Sequence, residues 1–107
     1  MPSSADAIFK ALSDPTRRAI FERLCREGPA PVSRLTEGAG ISQPAVSKHL
    51  AILKRADLVA GREQGRMTQY SARPDALAVL ADWTVEMQHF WNARLDRLDD
   101  LLKRMDQ

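Results

Sequence analysis

The sequence predicts a mainly helical fold with one small β-hairpin and a long last helix. Apolar residues recur at helical spacing over most of the chain, whereas after Asp57 they alternate as they do in strands. Beyond Pro74 the chain contains no further glycine or proline. Its 107 residues, of which 44% are hydrophobic and 28% charged, suit a single globular domain over residues 1–107.

Two helices are predicted at the start of the chain. Residues 5–12 carry apolar side chains at helical spacing. Asp14 is a good N-cap residue, and the proline that follows it fits the first helical turn because its missing N–H needs no partner there. A second helix is therefore predicted from Pro15 to about Glu27, where Gly28 ends it.

A helix-turn-helix unit is predicted over about residues 31–56. A short helix from about Val32 to Glu37 is followed by Gly38-Ala39-Gly40, a turn whose glycines permit positive φ. Ser42 is the expected N-cap of the next helix, which has Pro44 in its first turn. Three apolar residues of that helix share one face and form its expected buried stripe: Val46, Leu50 and Leu53.

A hairpin and a long helix complete the chain. Strand-like segments between residues 58 and 72 flank Gln64-Gly65, which predicts a β-hairpin with a glycine turn. The last helix is predicted over about residues 75–105, so it would be roughly 46 Å long. A compact protein of this size has a radius of gyration of only about 13 Å. This helix is therefore expected to extend beyond the body of one chain.

The apolar side of that helix predicts a homodimer, because one short chain cannot cover it. The residues expected at the dimer interface are apolar and are spaced along the last helix, with one contribution from the first helix. They are Phe9, Leu80, Trp83, Met87, Phe90, Trp91, Leu95 and Leu98.

The order of these elements is that of a winged helix-turn-helix, in which the second helix of the pair enters the DNA major groove with its N-terminal residues. Gln43 can pair with adenine, Ser47 can bond to a base or phosphate, and Lys48 suits a phosphate. Arg62 and Arg66 are expected together at the protruding tip of the hairpin. The full set of candidate DNA-binding residues is Ser42, Gln43, Pro44, Ala45, Ser47, Lys48, Lys54, Arg62 and Arg66.

The distribution of charge along the sequence favours a polyanionic partner such as double-stranded DNA. Residues 1–66 contain eleven Lys or Arg against seven Asp or Glu, whereas residues 67–107 contain five against seven. The N-terminal part of the chain is therefore net positive and the C-terminal part net negative, which favours binding of a polyanion on one face.

Three motifs resemble the ArsR family of dimeric bacterial winged-helix repressors. They are ALSDPTRR at 11–18, ISQPAVSKHL at 41–50 and GRMTQY at 65–70. The resemblance covers about residues 7–72 closely, and the long last helix agrees in position. It implies dimerisation through the first and last helices and DNA recognition by the helix that begins at Ser42.

The departures from that family bear on its effector. Metal-sensing members place a cysteine pair in the helix corresponding to Val32–Glu37, or Asp and His ligands along the last helix. Here the first segment has no thiol and the last helix has a single histidine, His89, so we expect neither a metal nor another cofactor. Two alternatives stay open: a metal- or thiol-responsive repressor with a site shared between subunits, and a protein-interaction module on the same fold. A small-molecule effector is also left open.

Other functional classes find little support. The chain has no glycine-rich phosphate loop and no nucleophile elbow, so we do not expect an enzyme. No apolar run approaches the roughly 18 residues that cross a bilayer. Cys25, the single cysteine, is expected to be partly buried and inert, and the chain is expected to be cytoplasmic.

Overall fold

A computed structural model describes residues 5–106. This part of the chain forms helices and a three-stranded antiparallel sheet, in an order that confirms the predicted fold class. The elements are α1 (Ala5–Ser13), α2 (Pro15–Glu27), β1 (Ala30–Pro31), α3 (Val32–Thr36), α4 (Gln43–Arg55), β2 (Val59–Gln64), β3 (Met67–Ala72), a 3-10 helix (Pro74–Ala76) and α5 (Leu77–Met105).

The predicted helix boundaries follow from their capping residues. An Asp14 carboxylate oxygen accepts the Arg17 amide N–H at 2.8 Å, which satisfies one of the free donors at the start of α2. Gly28 ends the same helix with φ +89°, a conformation that side chains disfavour. The Ser42 hydroxyl accepts the Ala45 amide N–H at 3.3 Å and caps α4.

A single core joins α1, α2, β1, α3, α4 and the start of β2. The predicted stripe of α4 is confirmed, because Val46, Leu50 and Leu53 are at most 1% exposed. Burying each such side chain stabilises the folded state by about 1.5–3 kcal/mol relative to leaving it exposed. The stripe packs with other buried residues: Ile8, Ala11, Ile20, Phe21, Leu24, Ala30, Leu35, Ala56, Leu58 and Val59. This packing fixes which side of α4 faces solvent.

The sheet has the strand order β1-β3-β2. Strands β2 and β3 form the predicted hairpin, and Gln64 pairs with Met67 next to the turn. The turn is therefore Gly65-Arg66, one residue later than the predicted Gln64-Gly65. Gly65 has φ +66°, as a type II′ turn requires at its first central position. Strand β1 was not predicted; its Ala30 pairs with Tyr70 of β3.

Helix α5 extends away from this body, as predicted. Its 29 residues correspond to a length of about 44 Å. The chain measures 74 × 31 × 21 Å with a radius of gyration of 19.8 Å, well above the roughly 13 Å of a compact chain this long. No residue of α5 is buried, although Leu77, Val79 and Leu80 pack partly against the core.

Candidate nucleic-acid interface

The N-terminal half of α4 presents a polar face to solvent. Gln43, Pro44, Ser47 and Lys48 are exposed, and Ala45 is half-buried. The whole helix contains no Asp or Glu, and its amino end carries the positive end of the helix dipole. This face can therefore approach a polyanion without meeting an acidic side chain of its own helix.

Two of the predicted DNA-binding residues stand at the two ends of this helix. The Ser42 hydroxyl oxygen accepts the cap bond from the Ala45 amide N–H, and its own O–H remains a donor. Lys54 is exposed but lies eleven residues beyond Gln43, about 16 Å further along the helix. Gln43, Ser47 and Lys48 thus all lie exposed in the N-terminal half of α4, whereas Lys54 lies near its C-terminal end.

The hairpin separates the two arginines that were expected together at its tip. Arg66 lies in the turn and is exposed, as expected. The placement of Arg62 at the tip was wrong, because Arg62 pairs with Gln69, two residue pairs back from the turn. The cause is the later turn position, which lengthens β2 by one residue and leaves Arg62 about 7 Å behind the last pair.

A cleft between the hairpin and the helix pair joins the two predicted parts of the interface. Its volume is about 330 Å³, and both Gln43 and Arg66 line it. It is also lined by Ser33 of α3 and by Thr68 and Tyr70 of β3, which sequence reasoning missed. No local pattern could have found these three residues, since the fold alone brings them next to α4.

Helix α4 is held in place by an arginine from α2. The Arg17 side chain donates to the carbonyl oxygens of Lys10 and Ala11 at the end of α1. Its Nη1 also lies 3.4 Å from Nδ1 of His49 on α4. A cation near the C-terminus of a helix is stabilising. The Arg17 contacts therefore link α1, α2 and α4 next to the interface.

The residues predicted at the dimer interface form an apolar surface on α1 and α5. Phe9 and Trp83 make an edge-to-face contact with ring centroids 5.1 Å apart, which joins the two helices within one chain. Leu80 differs from the others, because it is half-buried against its own core. Seven predicted residues are exposed by 37–60%: Phe9, Trp83, Met87, Phe90, Trp91, Leu95 and Leu98.

Cys25 is exposed, so its expected partial burial was wrong. It follows the buried Leu24, and a step of one residue turns the side chain about 100° away from the core. Desolvation by its surroundings raises the pKa of the thiol, which favours the unreactive protonated form.

Among residues 5–106, no group of three or more His, Cys, Asp or Glu residues could hold a metal ion. Of the helices described, none combines the length and apolar character that crossing a bilayer requires.

Helices α3 and α4 together with the β2–β3 hairpin define a winged helix-turn-helix, the fold class of DNA-binding transcriptional regulators. Residues 12–62 match a family model described as a helix-turn-helix domain. The chain is 42% identical over 92 residues to the HTH-type transcriptional regulator Rv2034 of Mycobacterium tuberculosis, covering 86% of this chain and 82% of the relative. It is 37% identical over 76 residues to the transcriptional repressor SdpR of Bacillus subtilis, covering 71% and 83%.

Solved structures agree with these relatives. The crystal structure of the ArsR family transcriptional regulator RHA00566 superposes with a TM-score of 0.75 at 34% identity, covering 81% of this chain and 89% of that one. The homodimeric winged helix-turn-helix domain of Mb0332 from Mycobacterium bovis superposes with a TM-score of 0.63 at 25% identity, covering 78% and 77%. The chain belongs to the ArsR family. Its members are transcriptional regulators and not enzymes, which confirms both the resemblance and the functional class predicted from the sequence.

Proposed function

We propose that this regulator acts as a homodimeric repressor that binds an inverted-repeat sequence in double-stranded DNA. The observation that carries the proposal is the exposed, acid-free face of α4 between Gln43 and Lys48, which lies beside the hairpin turn at Arg66. Such a face matches the major groove in size and charge.

Each residue of the interface has a role that follows from its chemistry. Gln43, at the tip of α4, pairs with adenine, and Ser47 bonds to a base edge or a phosphate. Ala45 and Pro44 contact the groove wall, while Lys48 and Arg66 bind phosphates. Ser42 acts through the helix cap. Arg62 and Lys54 add positive charge at the margins of this surface.

The apolar surface of α1 and α5 supports the dimer. Side chains such as Phe90 and Trp91, which are 56% and 60% exposed, would be costly to leave in water. A stable interface buries about 1,600 Å² in total, and a helix of about 44 Å with several exposed aromatic residues can supply such an area. The neighbour from Mycobacterium bovis is described as homodimeric, which favours the same assembly here.

Two-fold symmetry then sets the form of the DNA site. Two identical α4 helices related by a dyad read two half-sites of opposite orientation, whose centres lie about 34–36 Å or a multiple of that apart. These contacts use protein side chains alone. We place the regulator in the cytoplasm, where bacterial DNA lies.

The proposal is tested by the salt dependence of DNA binding. Lys48→Ala and Arg66→Ala should each weaken binding to operator and to random duplexes alike, since phosphate contacts carry no sequence information. Each should also reduce the slope of log affinity against log salt by about 2 per dimer, because one counterion-releasing contact is lost per subunit. Arg26→Ala, an exposed change in the last turn of α2, is the matched control and should leave the slope unchanged. Unchanged slopes for Lys48→Ala and Arg66→Ala would contradict the proposal.

A further inference from the structure

The cleft between the wing and the helix pair has polar walls on three elements. Ser33 lies in α3, Gln43 begins α4, and Arg66, Thr68 and Tyr70 lie on the hairpin. These side chains approach one space of about 330 Å³. The cleft therefore joins the recognition helix to the wing.

The hydroxyl groups of the cleft lack partners in the part of the chain that the structure describes. Elsewhere the hydroxyls of Ser13, Thr36 and Thr84 donate to carbonyl oxygens of their own helices. By contrast, the hydroxyls of Ser33, Thr68 and Tyr70 make no hydrogen bond to any of residues 5–106. The cleft thus holds three hydroxyl donors that remain available to a ligand.

The shape of this wall depends on Gly61, directly across the hairpin from Tyr70. A Cβ atom at Gly61 would lie 3.2 Å from Cγ2 of Thr68 and 3.5 Å from Cε1 of Tyr70. The missing side chain lets the Thr68 methyl group and the Tyr70 ring lie over β2. Gly61 therefore leaves room for both side chains on this face of the hairpin.

The charge of the cleft favours an anion. Arg66 is its one charged lining residue among those described, and no Asp or Glu lines it. Glu63 pairs with Thr68 across the hairpin, so a carboxylate stands on the rim of the same face. The Glu63 carboxylate would repel an anion bound in the cleft. Removing this charge therefore tests whether the bound ligand is an anion.

We propose that this cleft binds one phosphodiester of the DNA backbone, held by the hydroxyls of Ser33, Thr68 and Tyr70 and by the Arg66 guanidinium. The inference rests on the proposed DNA-binding function and specifies how that site is aligned. Gln43 lines the same cleft, so the bound phosphate lies beside the base that Gln43 reads. The phosphate fixes how far α4 enters the groove, since backbone contacts position a protein while base contacts specify sequence.

The test uses variants that remove a hydroxyl and keep its shape. Thr68→Val and Tyr70→Phe should each lower affinity for a random-sequence duplex by about a hundredfold or more, because the dimer loses two hydrogen bonds to a charged group. The salt slope should stay that of the wild type, since a neutral hydroxyl releases no counterion. Glu63→Gln should raise affinity. Ser71→Ala, on the opposite face of β3, is the matched control and should change nothing; thermal melting checks that all four variants fold.

The outcomes separate this inference from the proposed function. If Thr68→Val and Tyr70→Phe bind like Ser71→Ala while Arg66→Ala is weakened, the cleft binds no phosphate and DNA binding stands. A changed salt slope for Thr68→Val would also overturn the inference. If Arg66→Ala and Lys48→Ala bind as tightly as the wild type, the proposed function itself is wrong.

Discussion

The Arg17 guanidinium reaches across from α2 to place its Nη1 3.4 Å from Nδ1 of His49 on the recognition helix. Arginine has only donors, so Nδ1 of His49 acts as the acceptor in this contact. The same guanidinium donates to Lys10 and Ala11 at the end of α1. One side chain thus links α4 to both α1 and α2.

Arg17→Ala should therefore destabilise the fold. It removes a half-buried charged donor from two helix-terminal carbonyl oxygens and from His49, a loss of about 1.5–3 kcal/mol in the free energy of unfolding. The neighbouring Arg18 is exposed and makes one such bond, to the Leu12 carbonyl at 2.9 Å, so Arg18→Ala should cost less than about 0.5 kcal/mol. Urea unfolding of both variants measures the difference. Equal losses would show that the Arg17 contacts do not stabilise the fold.

The cap of α2 should make stability depend on pH. The backbone N–H of Arg17, bonded to the carboxylate, is the main cause that holds the pKa of Asp14 below its usual value. Since the pKa is lower in the folded state, the cap stabilises the protein at neutral pH. This contribution is lost as the pH falls through the lowered pKa.

Asp14→Asn is the variant that isolates this charge. Asparagine also caps helices well, so the variant should fold normally at neutral pH and lose less stability than the wild type on acidification. Melting temperatures between neutral pH and pH of about 3 measure the difference. Identical pH dependence in the wild type and the variant would refute the role of the Asp14 carboxylate.

The dimer should depend on one side of α5. Trp91→Asp or Leu95→Asp places a charge on the apolar surface that also carries Phe90, and each should give monomers because an unpaired buried charge is costly. Val85→Asp is the control, since Val85 is 64% exposed and lies about 160° around the helix from Trp83. Light scattering at micromolar concentration should give twice the 12.0 kDa of one chain for the wild type and Val85→Asp. A monomeric wild type would contradict the proposed assembly.

The sequence predicted those features that depend on neighbours along the chain. Val46, Leu50 and Leu53 recur with the helical period, and Ser42 stands where a cap must, so α4 and its exposed face followed from local pattern. The length of α5 followed in the same way, because no glycine or proline interrupts it.

Features that depend on distant partners were missed. Strand β1 has two residues and exists only because Ala30 pairs with Tyr70, forty residues further on. The turn was misplaced by one residue because both placements put Gly65 in the loop, and only the pairing of Gln64 with Met67 distinguishes them. The polar cleft was invisible for the same reason, since Ser33 and Thr68 meet only in the folded chain.

Selection of duplexes from a random pool tests most directly whether this regulator reads DNA as a dimer through α4. The wild type should enrich an inverted repeat whose half-site centres lie one or two helical turns, about 10 or 20 base pairs, apart. Gln43→Ala should enrich the same repeat with preference relaxed at one position in each half-site, a loss of about 1–3 kcal/mol of discrimination there. Enrichment of a single unsymmetrical site, or an unchanged preference for Gln43→Ala, would contradict recognition by two α4 helices.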